Sequence, residues 1–316
     1  MSLRIAVQMD PLEAVNPAGD TSFMMIEDAQ ARGHRVHVYG VPDLSYEAGR
    51  VTARARAAKV FPGQTPHAAF EAPVILDLRK DVDVVLMRQD PPFHMGYITA
   101  AHILELVTPE TLVVNDPEGV RGAPEKVLPL IFPHLQPPTL VTRDIDALHA
   151  FREKHGDLVL KPLHGHGGSG VLKIGKDDGN LEAVVDLFKR MWVEPFIAQA
   201  FLPSVVEGDK RILLVDGEPV GAINRRPPAG AIRSNLVVGG TAEATELTAR
   251  EREICAAIGP ELKKRGLLFV GIDVIGGYMT EINVTSPTGA RALKNLSGID
   301  AVARMWDVIE AKLKQV

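Results

Sequence analysis

The residues best suited by type and spacing to chemistry lie near the C-terminal end, in Gly271-Ile272-Asp273-Val274-Ile275-Gly276-Gly277-Tyr278-Met279-Thr280-Glu281-Ile282-Asn283. Two apolar runs flank a Gly-Gly pair, the pattern of a β-hairpin. Side chains alternate along a strand, so Glu281 and Asn283 share a face, with Cα atoms about 7 Å apart. A two-residue loop at Gly276-Gly277 would set Asp273 opposite Thr280. A three-residue loop, with a glycine supplying positive φ, would pair Asp273 with Glu281. We expect the second register, because it gathers two carboxylates and an amide oxygen on one face. That is a hard-oxygen set of the kind Mg²⁺ takes, with phosphate oxygens of a substrate completing the octahedron. A solvent-facing hairpin could carry the same polar residues, so the rest of the chain must decide.

A second stretch bears on that choice. Asp157-Leu158-Val159-Leu160-Lys161 reads as a strand, His164-Gly165-His166-Gly167-Gly168-Ser169-Gly170 as a loop, and Val171-Leu172-Lys173-Ile174 as another strand. Gly165, Gly167 and Gly170 match G-x-G-x-x-G in form, but the dinucleotide fingerprint needs a helix after the glycines. No Gly-Lys-Ser/Thr closes the loop, so it is not a P-loop either. A glycine-rich hairpin loop can instead lie over phosphates, its N–H groups forming a nest, while Lys161 reaches the same anion as a point charge. The competing reading is a flexible loop beside a snorkelling lysine. His164 and His166 stand two apart with no cysteine or third ligand nearby, so anion contact or solvent exposure is expected for them rather than metal ligation.

These stretches need elements to position them. Residues 3–9 read as a strand, and Asp20-Thr21-Ser22 caps a helix running to Arg32 and stopped by Gly33. Strands are expected at 36–39, 83–88 and 111–115, with a helix over 96–107. This alternation predicts an open parallel α/β domain over residues 1–122. Ligands bind beyond the carboxyl ends of such strands, which singles out Asp10, Arg88 and Asp90. No glycine run follows the first strand, which disfavours a hydride-transfer enzyme.

Gly122-Ala123-Pro124 marks a boundary. Residues 123–202 then carry Lys126 on an interrupted helical turn, a short strand at 139–142, helices over 143–155 and 180–191, the glycine loop, and the apolar segment 196–202. That last segment could offer backbone groups to an adenine edge. Residues 203–316 hold a hairpin turned by Asp216-Gly217, an arginine-studded loop over 226–240 with the profile of a mobile lid, a helix over 248–265, the acidic hairpin, and a final helix from about 300 to 313.

The composition, 46% hydrophobic and 24% charged, is that of a soluble globular protein. A net charge of −5 gives no basic footprint for nucleic acid. No apolar run approaches the roughly 18 residues of a membrane span. The first residues enter a strand pattern with no signal-peptide region. The single cysteine, Cys255, excludes an internal disulfide, suits a reducing cytoplasm, and sits in a helical pattern that suggests packing.

With Lys161, the glycine loop, Asp273 and Glu281-Ile282-Asn283 in this order, the chain resembles the ATP-grasp ligases. It is similar to the bacterial glutathione synthetases over essentially its whole length. The supporting strings are Val85-Leu86-Met87-Arg88-Gln89-Asp90-Pro91-Pro92-Phe93, Leu160-Lys161-Pro162-Leu163, Gly208-Asp209-Lys210-Arg211, Val215-Asp216-Gly217-Glu218-Pro219 and Glu281-Ile282-Asn283-Val284-Thr285-Ser286-Pro287-Thr288. The resemblance implies an N-terminal open parallel α/β domain followed by an ATP-grasp fold, two α+β subdomains clasping ATP. It implies ligation of γ-glutamylcysteine to glycine through an acyl phosphate, with Mg²⁺ (or Mn²⁺ in its stead), in a homo-oligomer. Lys126 and Lys161 would bind phosphates beneath Gly165, His166, Gly167 and Gly168. Gln199, Ala200, Phe201 and Leu202 would meet adenine, with Asp209 nearby. Arg211, Arg225, Arg233 and Asn235 would serve the phosphates or the reacting carboxyl group. Asp273, Glu281 and Asn283 would hold the metal. Asp10, Arg88, Asp90, Ser286 and Thr288 would face the substrates. Two positions depart from the family pattern: His164 stands where relatives have an acidic residue, and Phe201 where they have tyrosine. Another carboxylate–amine ligase, adding glutamate to a peptide or joining two D-amino acids, would share the nucleotide residues. A nucleotide-binding module without turnover would be expected to lack one of them.

Overall fold

A computed structural model describes residues 2–165, 167–228 and 239–314. Three sheets organise them. The first contains β1 (Arg4–Gln8), β2 (Arg35–Tyr39), β3 (Leu44–Glu47), β4 (Arg50–Val60), β5 (Ala68–Phe70), β6 (Val74–Asp77), β7 (Val84–Met87) and β8 (Leu112–Val114). Its main path runs β3-β4-β2-β1-β7-β8. The centre is parallel, as the alternation predicts, with β1 between β2 and β7 and β8 beyond. All four residues of β7 are buried, as befits a strand covered on both faces. The edge differs from the expectation: β4 pairs antiparallel with β2 and carries β3, β5 and β6, an extension the sequence reading left out. Helix α1 (Thr21–Ala31) starts where Asp20 accepts a hydrogen bond from Phe23 N at 2.6 Å, and Gly33 follows it at φ +79°. Helices α2 (Met95–Glu105) and α3 (Pro117–Arg121) complete this part.

The second sheet is antiparallel, ordered β11-β10-β12-β9, from β9 (Thr139–Thr142), β10 (Leu158–Pro162), β11 (Leu172–Ile174) and β12 (Phe196–Ala200). Helices α4 (Ile145–His155) and α5 (Leu181–Met191) cover it. The glycine loop joins β10 to β11, so a strand and not a helix follows the glycines. The third sheet, β15-β14-β13-β16-β17, comprises β13 (Asp209–Val215), β14 (Glu218–Arg226), β15 (Thr241–Thr245), β16 (Phe269–Ile275) and β17 (Tyr278–Asn283). Helices α6 (Ala249–Lys264), α7 (Ala290–Ser297) and α8 (Ala301–Leu313) pack around it.

The cores do not follow chain order. Val85, Met87 and Leu104 share one apolar cluster with Ile212, Ile258 and Ile272. Ile5, Val7 and Phe23 share another with Leu213, Phe269 and Trp306. A third cluster lies wholly between Leu148 and Ala198. Asn115 ties the first sheet to the third: its Nδ2 donates to the Phe269 and Val284 carbonyls, and its Oδ1 accepts from Phe269 N, all within 2.8 Å. No described helix is long and apolar enough to cross a membrane.

Candidate active site

The acidic hairpin is turned by Gly276 and Gly277, at φ +56° and +80°, as a two-residue loop rather than the expected three-residue one. Yet Asp273 does pair with Glu281, because the register shifts between Asp273 and Val274. Thr280 is the extra residue of this β-bulge, and it supplies the offset assigned in advance to the turn. Two positive-φ glycines satisfy the loop geometry that matches strand twist, so the odd residue is absorbed in the ladder.

The neighbouring strands decide what Asp273 meets. Arg211 on β13 pairs with Asp273 across the ladder, and Asp209 pairs with Arg225 on β14. Arg211 Nε and Nη2 lie 2.6 and 3.1 Å from the two Asp273 oxygens, and Arg225 Nη2 lies 3.0 Å from Oδ1. The same Arg225 Nη2 reaches Asp209 Oδ2 at 2.6 Å. Burial alone would raise the Asp273 pKa, but the two guanidinium groups hold it well below the usual carboxylate range. For Arg225, burial works against the charge, and Asp209 with Asp273 more than restores it.

On the other side, Glu281 Oε1 lies 3.5 Å from Lys126 Nζ and 3.7 Å from Lys161 Nζ. Lys126 Nζ also donates to the Gly165 carbonyl at 2.5 Å, drawing the glycine loop inward. Lys126, Lys161, Gly165, Gly167 and Gly168 enclose a cavity with Gln199, Ala200, Phe201, Leu202, Asp209, Asp273 and Glu281. Its open volume is about 100 Å³. Gln199 Nε2 donates to Thr139 Oγ1 at 3.1 Å, and Lys173 Nζ stands 4.0 Å over the Phe201 ring.

A second cavity, of about 170 Å³, adjoins the first at Glu281 and is lined also by Asp90, Arg211, Arg225, Asn283, Ser286 and Thr288. Arg211 Nη1 donates to the Thr288 carbonyl at 3.2 Å, and Asp90 N to Asp10 Oδ2 at 2.8 Å. Burial raises the Asp90 pKa. The hard-oxygen set straddles the junction: Asp273 lines the first cavity, Asn283 the second, and Glu281 both. Asn283 Nδ2 is buried with no partner among the described residues, and one lone-pair direction of Asp273 stays unused by its arginines. The free lone pair of Asp273 suits a cation, and the unpartnered Asn283 amide donor suits an anionic oxygen such as one of a phosphate. Among the described residues no group of three His, Cys, Asp or Glu gathers that could hold a metal, here or elsewhere, so the set at this site is two carboxylates and one amide.

Two expectations need correction. Arg88 lines neither cavity: it is buried, with Nε donating to Ser22 Oγ at 3.0 Å and Nη2 to the Pro287 carbonyl at 3.1 Å. At the end of a doubly covered strand its side chain runs beneath the site and braces the 285–289 loop, whose Ser286 Oγ donates to the Arg88 carbonyl at 3.3 Å. His164 lacks the full exposure that was one of the two outcomes expected for it. It is half-buried with its ring 5.9 Å from Phe93, and burial lowers its pKa. His166, Arg233 and Asn235, with most of the expected lid, lie outside the described residues.

Glu125 was missed. It lines the second cavity, accepts from Thr285 Oγ1 at 3.1 Å, and takes Ile282 N on its carbonyl. Its signal was adjacency to Lys126, but only the fold shows the low-dielectric surroundings that push its pKa up to about 7, with Lys126 opposing and Glu281 reinforcing the shift. The folded state therefore holds a proton that the unfolded chain releases near pH 4.3, and stability should fall as pH rises from there through 7. Glu125→Gln is expected to flatten that decline, checked by urea midpoints at pH 5 and pH 8. An equal decline in both proteins would refute the assignment.

The model of the N-terminal domain of prokaryotic glutathione synthetase matches residues 3–121, and that of its ATP-grasp domain matches residues 125–298. The chain is 53% identical over 312 residues to the glutathione synthetase of Rhodopseudomonas palustris and 51% identical over 312 residues to that of Bradyrhizobium diazoefficiens, with 99% of each chain covered in both cases. Among solved structures, a D-cycloserine synthetase shares the fold at a TM-score of 0.69 and 17% identity, over 98% of this chain and 99% of that one. The chain belongs to the prokaryotic glutathione synthetase family of ATP-grasp ligases.

Proposed function

We propose that the two adjoining cavities join the cysteinyl carboxylate of γ-L-glutamyl-L-cysteine to the amine of glycine, with ATP and Mg²⁺, giving glutathione, ADP and phosphate. The observation that carries this reading is the division of cations about the hairpin, with Lys126 and Lys161 on the glycine-loop side of Glu281 and Arg211 with Arg225 on the other. A carboxylate oxygen attacks the γ-phosphorus of ATP and ADP leaves. The amine nitrogen then adds to the acyl carbon, and phosphate departs as the nitrogen loses a proton. Carboxylate and γ-phosphate repel by roughly 4 kcal/mol per unit-charge pair at 4 Å and an effective dielectric of 20, which the arginines and lysines offset. Asp273, Glu281 and Asn283 would hold Mg²⁺, which supplies Lewis-acid stabilisation of phosphate charge; Mn²⁺ suits the same oxygen ligands.

In this reading Lys126 and Lys161 grip the phosphates, Gly165, Gly167 and Gly168 exclude water from the acyl phosphate, and Gln199 to Leu202 border the adenine, with Asp209 orienting Arg225. Asp10, Asp90, Ser286 and Thr288 face the substrates, and Arg88 positions their loop. Residues 1–122, 123–202 and 203–316 act as three subdomains of a cytoplasmic enzyme that assembles as a homo-oligomer. The test is ADP release with ATP, Mg²⁺ and γ-glutamylcysteine. Glycine-dependent release with one glutathione per ADP is expected; release that ignores glycine but follows another amine would overturn the acceptor.

A further inference from the structure

Three rings join the glycine loop to a loop on the wall of the second cavity. His164, at the entrance of the glycine loop, holds its ring 5.9 Å from that of Phe93, with 30° between the planes. Phe93 in turn lies 5.2 Å from Tyr97, at 40°. Attractive aromatic pairs have centroids about 4.5–7 Å apart. Phe93 and Tyr97 belong to the connection and helix that follow β7 in the first sheet, whereas His164 follows β10 in the second. Among the described residues this is the one ring contact between those two parts of the chain. Burial lowers the His164 pKa, with Glu194 opposing the shift and Lys126 adding to it, so the ring is neutral at pH 7. Its Nδ1 is buried without a hydrogen-bond partner among the described residues, so packing rather than a bond at that nitrogen holds the ring.

Each end of the stack is tied to a different cavity. His164 is followed by Gly165, which lines the first cavity and whose carbonyl accepts from Lys126 Nζ at 2.5 Å. Phe93 is preceded by Asp90-Pro91-Pro92, and Asp90 and Pro91 line the second. A proline fixes its own φ near −65° and confines the residue before it to extended backbone, so this segment has little freedom. The place of Phe93 therefore decides the place of Asp90, whose N donates to Asp10 Oδ2 at 2.8 Å. Tyr97, 2% exposed, gives Phe93 a fixed backing. Neither His164 nor Phe93 lines either cavity, so each can act on a bound ligand only through its neighbours.

We propose that His164 is a positioning residue, its ring on Phe93 setting the glycine loop and the Asp90 segment in one mutual arrangement so that the two cavity walls form together. The assignment rests on the function proposed above, which puts ATP on one side of the contact and the dipeptide on the other.

The test is a crossed effect on substrate constants. His164→Ala should raise KM for γ-glutamylcysteine about three- to tenfold although His164 stands on the nucleotide side, the scale of one lost ring pair. Phe93→Leu should raise KM for ATP by a like factor. In the double variant the second substitution should add little, because the contact is already gone. His164→Phe, which keeps a ring and gives up the unpartnered nitrogen, should restore both constants, whereas His164→Leu, of similar bulk without a ring, should behave as alanine. A leucine enzyme equal to the phenylalanine one would overturn the ring contact even if the alanine variant failed to fold. Penalties confined to the nearer substrate, or multiplying in the double variant, would overturn the coupling. If wild type makes no glutathione, the function reading fails and this assignment falls with it; glutathione synthesis with uncrossed penalties sinks the coupling alone.

Discussion

Asp273→Asn is expected to lower stability by about 3–5 kcal/mol and to leave no measurable ligation, because it removes the one group shared by two buried arginines. The substitution keeps the shape of the side chain and deletes its charge. Arg225 retains Asp209, but Arg211 keeps only neutral acceptors, at Thr288 and the new amide. An uncompensated buried guanidinium costs far more than a surface one, and both side chains of the Arg211–Asp273 pair are no more than 7% exposed. The pH dependence has a definite sign. A carboxylate whose folded pKa is depressed contributes stability that is complete above its unfolded pKa, near 3.9, and is lost as pH falls from there toward the folded value. The gap between wild type and Asp273→Asn, measured by urea unfolding, should be full at pH 7 and shrink between about pH 4 and pH 2. A gap of constant size down to pH 2 would show that Asp273 is not held ionised by its arginines.

Glu281→Ala should do the opposite: leave the fold nearly intact and remove catalysis. Its side chain is 20% exposed and its lysine contacts are long, at 3.5 and 3.7 Å, so the direct loss of stability should be within about 1 kcal/mol. Glu281 is nevertheless the one proposed metal ligand that borders both cavities. Without it Lys126 and Lys161 lose their common counter-charge, and the oxygen set falls to one carboxylate already committed to arginines and one amide. A drop in kcat of about 10³-fold is expected, with a raised Mg²⁺ requirement and a KM for γ-glutamylcysteine near wild type. A kcat within tenfold of wild type would remove Glu281 from the chemistry.

Much of this was legible in the chain because local pattern and tertiary role agree. The cap at Asp20, the turn at Asp216-Gly217 and the strand after the glycine loop all stand where their residues point. The acidic hairpin shows a subtler limit: the expected pairing appeared through a bulge at Thr280, since loop length and ladder slip can compensate and only their sum is written in the spacing. Strand β4 went unread although Val51, Ala53 and Ala55 alternate inward, because its middle, from Ala53 to Lys59, is all alanine, arginine and lysine and carries no branched or aromatic residue. Arg88 was found at its strand end, but which way a long side chain turns there depends on Ser22 and Pro287, far away in sequence. Glu125 needed the whole fold, since burial is a property of neighbours that no local window contains.

The division of the cores bears on how the chain is made. Leu3, Ile5 and Phe23 pack with Met305, Trp306 and Ile309, and Trp306 Nε1 donates to the Met25 carbonyl at 3.1 Å. Strands that leave the ribosome first therefore cannot complete their packing until almost the last helix has emerged, an interval on the order of tens of seconds at bacterial elongation rates of about 5–20 residues per second. The cluster between Leu148 and Ala198 is complete in itself and can close while the earlier segment is still waiting. Nascent chains of this protein thus expose apolar strands at their leading end throughout synthesis, the segment a holding chaperone would guard and the one that truncation near residue 300 would strand unfolded.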